Sequence, residues 1–317
     1  MMLDALGWQP TAPLERLNLP WLQKAGVEVA ILRLDLIDAL ISGNKWFKLS
    51  EHLSLAVDSG AEGLISLGGA HSNHLHALAA AGKRFGFPTV GLLRGHAQQT
   101  PTVLDLQAFG MHLHWLGYAG YRERHAAGFW SPWQARYPGL YPIAEGGGGL
   151  AGALGCDRLR AMLDAQLAQL AHLGWDDYHG WWLAAGTGTT LAGLLLAEAG
   201  ARPVYGAMAV PEDHGVAQNI IAVLNEAAGA QADVNPCLPT GCVLLDASRG
   251  GFARTDAALL DFIAGSEAQS GVPLEPLYTG KALLALHDEV LAGRFAPGTR
   301  LVFVHTGGLQ GRRAMCL

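Results

Sequence analysis

The sequence predicts an α/β fold built on an open, mostly parallel sheet. Short apolar, β-branched runs alternate with longer stretches whose apolar residues recur at helical spacing. Several of these runs end in glycine-rich turns, and 42 of the 317 residues are glycine. Half of the residues are hydrophobic and 15% are charged. That composition buries a large core, in one large domain or two compact ones.

The elements follow in order along the chain. Val27 to Leu34 is a β-branched run and reads as a strand. Lys48 to Asp58 carries helical spacing. Gly63 to Leu67 is a short strand that ends in Gly68-Gly69. Asn73 to Phe85 is alanine-rich and helical, and Gly86-Phe87-Pro88 stops it. Thr89 to Leu93 is a strand, Thr102 to Phe109 a helix and His112 to Leu116 a strand. Gly146 to Gly149 is either a flexible boundary or a loop that brings backbone amides to an anion. Ala151 to Leu173 is a long helical pattern. Gly180 to Ala185 reads as a buried strand, and Leu191 to Ala199 as an apolar helix. Val204 to Ala209, Val243 to Leu245 and Leu301 to His305 are further strands. Helices Val216 to Ala228, Thr255 to Ser270 and Tyr278 to Ala292 lie between them. Such alternation implies parallel βαβ units, with ligands at the carboxyl ends of the strands.

Composition excludes several classes. The formal net charge is −6 and no Lys/Arg-rich run occurs, which argues against a nucleic-acid or anionic-membrane partner. Met1 to Trp8 has an early acid and no basic region, unlike a signal peptide. Trp181 to Ala197 is uncharged, but Gly186-Thr-Gly-Thr-Thr190 interrupts it and favours strand, turn and helix over a membrane span. The four cysteines, Cys156, Cys237, Cys242 and Cys316, form no Cys-x-x-Cys pair and read as free thiols in a reducing compartment. The expectation is a cytoplasmic protein.

Three stretches carry the chemistry. In Ser42-Gly-Asn-Lys-Trp-Phe-Lys-Leu49, Lys45 follows a Gly-Asn turn and precedes a helical pattern. A lysine fixed there is placed like a Schiff-base nucleophile, which requires a partly buried setting that keeps the amine neutral. Lys48, one turn on, competes for that role, and Trp46 and Phe47 read equally well as pocket or core. About twenty residues later, Ser66-Leu-Gly-Gly-Ala-His-Ser-Asn73 closes a strand with a polar turn that can bind the ligand the lysine attacks. The pairing reads as a pyridoxal-phosphate site. In Gly186-Thr-Gly-Thr-Thr190, glycines, hydroxyls and a helix N-terminus can cradle a phosphate; the alternative is a tight turn with ordinary threonine caps. No Walker lysine follows, and the third glycine of a dinucleotide fingerprint is missing. His71, His74 and His76 do not share one helical face and have no cysteine or carboxylate beside them, so no metal is assigned. His112 and His114 share a strand face and read as structural. No Gly-x-Ser-x-Gly elbow occurs.

Five motifs stand in a fixed order: Gly43-Asn-Lys-x-x-Lys-Leu49, Ser66-x-Gly-Gly-x-x-Ser-Asn73, Ala185-Gly-Thr-Gly-Thr-Thr-x-Ala-Gly193, Tyr278-Thr-Gly-Lys281 and His305-Thr-Gly-Gly308. Over nearly its whole length the chain resembles the 1-aminocyclopropane-1-carboxylate deaminase / D-cysteine desulfhydrase family of pyridoxal-phosphate enzymes, of the tryptophan synthase β fold type. The resemblance implies two open, mostly parallel twisted sheets flanked by helices. A smaller domain (51–155) is inserted in a larger one (1–50 plus 156–317), with the active site between them. It implies a homodimer and a small amino-acid substrate. It selects Lys45 over Lys48 as the cofactor lysine, sets Asn73 on the cofactor's 3-hydroxyl, and makes Gly186, Thr187, Gly188, Thr189 and Thr190 the phosphate loop. It sets Ser72, Asn73 and His74 around the substrate carboxylate and Tyr278 over the substrate.

Position 279 matches the residue that faces the pyridine nitrogen, a glutamate in the deaminases and Thr279 here. The resemblance therefore implies a weaker electron sink, suited to β-elimination rather than to opening a cyclopropane. Thr306 agrees, since the desulfhydrases resemble His-Thr-Gly-Gly and the deaminases His-Leu-Gly-Gly. Catalysis would fall to Lys45, Ser72 and Tyr278, with D-cysteine the leading substrate. A cyclopropane-carboxylate deaminase is the alternative. Trp46-Phe47, where the family commonly has Thr-Arg, motivates a third reading, an amino-acid-binding protein with little turnover because bulky rings narrow the pocket.

Overall fold

The computed structural model describes residues 11–167, 174–229 and 237–315. The leader reading of Met1 to Trp8, the end of the helix expected to reach Leu173, and Cys316 lie outside the described residues.

Among the described residues, ten strands form two sheets. The larger holds β1 (Leu14–Arg16), β2 (Glu28–Arg33), β7 (Gly180–Ala185), β8 (Val204–Met208), β9 (Cys242–Asp246) and β10 (Arg300–His305), in the order β1-β2-β10-β7-β8-β9. Only β1 pairs antiparallel; the other neighbours are parallel. The smaller holds β3 (Gly63–Gly68), β4 (Thr89–Leu93), β5 (His112–Trp115) and β6 (Leu140–Pro142), all parallel, in the order β5-β4-β3-β6. Its strands all fall between β2 and β7 in sequence.

Period-two alternation assigns the faces of the larger sheet. Ala30, Leu32, Val302 and Val304 point into one core, with residues of helices Gly149–Leu167, Thr189–Glu198 and Val216–Ala227. Val29, Ile31, Leu301 and Phe303 point into the other, with helices Ala257–Ser270 and Thr279–Leu291. Each fully buried aliphatic side chain contributes about 1.5–3 kcal/mol. The smaller sheet is likewise covered on both faces.

The helix Asn73–Phe85 has the expected bounds. Ser72 caps it by accepting the Leu75 N–H at 3.2 Å, and Gly86 ends it in the left-handed conformation. The helix expected from Lys48 instead begins at Asn44 and runs to Asp58, so Lys45 lies in its first turn rather than ahead of it. Gly43 makes that early start possible. Its φ is 75°, and an added Cβ would stand 2.1 Å from the Thr306 carbonyl oxygen. This close approach lets the Asn44 N–H reach the Thr306 carbonyl at 3.2 Å. β1, β6 and the short helices Pro20–Ala25, Gly117–Arg122 and Ser131–Arg136 were not expected; three to six residues are too few for a periodic signal. Trp181 to Ala197 divides into β7 and the helix Thr189–Glu198. Among the described residues no helix is long and apolar enough to cross a membrane.

Candidate active site

Helix Asn44–Asp58, the glycine run after β6 and the turn after β7 meet at two lysines. The Nζ atoms of Lys45 and Lys48 each lie 3.4 Å from the Gly146 carbonyl oxygen, and the Lys48 Nζ is 3.3 Å from Thr187 Oγ1. Gly146, in the run left open between two readings in the sequence, turns its carbonyl toward the two amines. Gly148 likewise offers its carbonyl to His52 Nε2 at 3.1 Å. Lys48 is buried, whereas Lys45 keeps part of its side chain open. Burial, reinforced by the charge of Lys48, pushes the Lys45 amine well below its usual range. Burial also lowers Lys48. That direction favours the neutral amine, the form a Schiff-base nucleophile requires.

Neither lysine hydrogen-bonds a carboxylate among the described residues; their acceptors are a carbonyl and a hydroxyl. Two adjacent amines without an anionic partner disfavour each other's charged form. The turn Gly186 to Thr190 supplies what a phosphate needs beside them. Gly188 is left-handed and precedes the first turn of helix Thr189–Glu198, whose N–H groups have no intrahelical acceptor. The Thr187 and Thr189 hydroxyls stand 2.9 Å apart. Thr190 faces away: its Oγ1 accepts from Asn44 Nδ2 at 2.8 Å and lies 3.9 Å from the buried Cys156 thiol. Thr190 thereby ties this helix to the one that carries Lys45. The donor set fits a phosphorylated aldehyde, with one amine to attack and a second amine, two hydroxyls and a helix terminus to hold the anion.

The remaining expected residues surround this centre. Ser72 and Asn73 are half-buried at the start of their helix. The His74 ring is buried, with Nε2 on Ser66 Oγ at 2.8 Å and Nδ1 without a partner. His76 bonds Asp105 at 3.1 Å, and His71 is exposed. Tyr278 packs against Gly186, where an added Cβ would meet its ring at 3.0 Å, and its ring centroid is 5.9 Å from that of Phe252. Burial and the charges of Glu275 and Glu145 hold the Tyr278 phenol protonated. Thr279 is fully buried. Its hydroxyl accepts the Glu275 N–H at 2.9 Å and lies 3.2 Å from Glu275 Oε1. Thr306 contributes its carbonyl, bonded to the Asn44 N–H. Trp46 is 2% exposed and Phe47 3%, in two different cores. Both are core side chains, one of the two readings that the sequence left open.

Three residues at the site were missed as participants. Lys48 was weighed only as a rival to Lys45, although its three-residue spacing puts it on the same helix face. Asn44 and the buried Glu275 gave no separate sequence signal.

A lysine with a lowered pKa beside a glycine- and threonine-rich turn and a helix N-terminus, at the ends of parallel strands, fits the binding of pyridoxal phosphate. Residues 2–307 match the family model described as pyridoxal-phosphate dependent enzyme, and the chain belongs to that family. It is 30% identical over 299 residues to a Pyrococcus horikoshii protein with the provisional name 1-aminocyclopropane-1-carboxylate deaminase, covering 91% of this chain and 87% of the relative. It is 28% identical over 323 residues to the bifunctional D-cysteine desulfhydrase/1-aminocyclopropane-1-carboxylate deaminase of Arabidopsis thaliana, covering 97% and 78%. The crystal structure of a deaminase homologue superposes with a TM-score of 0.78 at 26% identity, covering 98% of this chain and 95% of that one.

Proposed function

We propose that this enzyme is a β-eliminating lyase of small amino acids, with D-cysteine as its leading substrate. D-cysteine and water would give pyruvate, ammonia and sulfide. The observation that carries the reading is position 279. A neutral threonine stands there, and its hydroxyl is occupied by Glu275.

When bound, the cofactor supplies an electron sink for charge developing at the substrate α-carbon. Lys45 would hold it and is placed to take the α-proton, since burial and the charge of Lys48 lower its pKa and favour the basic form. Lys48, Thr187, Gly188 and Thr189, with the helix terminus behind Gly186, bind the phosphate, and Thr190 fixes their position through Asn44. Ser72 and the N–H groups of Asn73 and His74 orient the substrate carboxylate, and Asn73 also faces the cofactor's 3-hydroxyl. Tyr278, with its phenol proton retained, assists the leaving group, and Thr306 borders the substrate.

We also propose a homodimeric, cytoplasmic protein divided into 1–50 plus 156–317 and 51–155. Both divisions fall inside helices, Asn44–Asp58 and Gly149–Leu167, so these helices would be shared hinges rather than borders.

The test measures ammonia, sulfide and 2-oxo acid over a panel of D- and L-amino acids and 1-aminocyclopropane-1-carboxylate. Sulfide with pyruvate from D-cysteine is the expected result. 2-Oxobutyrate from the cyclopropane, without sulfide from D-cysteine, would establish the deaminase instead.

A further inference from the structure

We infer that Gln310 is a positioning residue for Asn73, fixing which end of the Asn73 amide faces the cofactor. This rests on the proposed function, which sets Asn73 beside the cofactor ring. The Gln310 Nε2 donates to Asn73 Oδ1 at 2.9 Å, across 237 positions of sequence. An asparagine amide is nearly symmetric in shape and opposite in chemistry at its two ends. A donor held on Oδ1 leaves Nδ2 as the end available to an acceptor, such as a ring oxygen.

The approach is built into the backbone. Gly308 has φ 90°, and an added Cβ would lie 2.6 Å from Asn73 Nδ2, so only glycine lets this segment come so near. The turn Leu309–Met315 is then anchored on both sides. Arg312 forks onto both carboxylate oxygens of Glu267, in the Ala257–Ser270 helix beside the larger sheet. Arg313 forks onto Asp105, in the Pro101–Ala108 helix beside the smaller sheet. Asp105 also holds His76, on the helix that begins with Asn73. Paired guanidinium–carboxylate forks are geometrically specific, so Gln310 is carried on a strap fastened to both sheets.

The experiment titrates pyridoxal phosphate into apoprotein of the wild type, Gln310→Ala, Gln310→Glu, Asn73→Ala and the Asn73→Ala/Gln310→Ala pair. Affinity, the pH midpoint of the lysine-bound cofactor absorbance and the unfolding midpoint of each apoprotein are read. Gln310→Ala is expected to weaken the affinity about two- to tenfold and to move the pH midpoint. Gln310→Glu, whose carboxylate only accepts, should turn the amide round and weaken binding further. In the Asn73→Ala background, Gln310→Ala should change neither affinity nor pH midpoint. Equal losses in both backgrounds, or a Gln310→Glu protein that behaves as wild type, would overturn the inference. Wild-type apoprotein that takes up no cofactor would end the proposed function itself.

Discussion

Glu275 Oε1 accepts the backbone N–H of Thr279 at 2.6 Å. The same carboxylate accepts the N–H groups of Leu277 and Tyr278, each at 2.8 Å, and none of its hydrogen bonds comes from a cation. Burial raises its pKa while these donors pull it down. One buried carboxylate thus shapes the turn that presents Tyr278 and Thr279. Glu275→Ala strands three backbone donors, which costs about 3 kcal/mol or more. The predicted result is a lower urea midpoint together with loss of turnover. A variant of unchanged stability would show that the turn holds itself.

Lys45 and Lys48 are expected to separate by function. Lys45→Ala should abolish both turnover and the absorbance of lysine-bound cofactor. Lys48→Ala should keep that absorbance but bind the cofactor roughly tenfold to a hundredfold more weakly, the value of one charged hydrogen bond. Equilibrium dialysis of both variants checks it; full retention by Lys48→Ala would remove Lys48 from the phosphate site.

Much of the fold was legible because glycine turns divide the chain and the strands alternate on period two. The Gly63 and Gly180 strands and the Asn73–Phe85 helix were found for this reason. The start of the lysine helix was not, because Gly43-Asn44 reads as a turn until the Thr306 carbonyl, more than 260 positions away, is brought beside it. Lys48 was misjudged on the same ground, since its partner Thr187 lies 139 positions on. Glu275 looks solitary in Leu274-Glu-Pro-Leu277, and only the folded turn shows its three donors.

Gly43→Ala brings a Cβ to 2.1 Å from the Thr306 oxygen at a φ of 75°. Either strain or a shift of the helix start must follow, at about 2–4 kcal/mol. The variant should lose thermal stability and attach cofactor more slowly. Wild-type stability and attachment rate would show that the contact yields freely.

Burial pushes the His52 imidazole from its usual 6.5 down to about 4. Between these values the unfolded chain binds a proton that the folded chain does not, so stability is present above about 6.5 and is lost as pH falls toward 4. His52 alone accounts for about 3 kcal/mol over that window. Urea unfolding at pH 7 and pH 5 should show the loss, with a shallower slope in His52→Gln. Equal slopes in the two proteins would exclude His52 as the source.

Trp46 and Phe47 are neighbours in sequence, yet each is sealed into a different core. The amine of Lys45, immediately before them, is therefore mounted on an axle gripped at both rims. The backbone that carries Lys45 is thereby packed against the cores of both sheets at once.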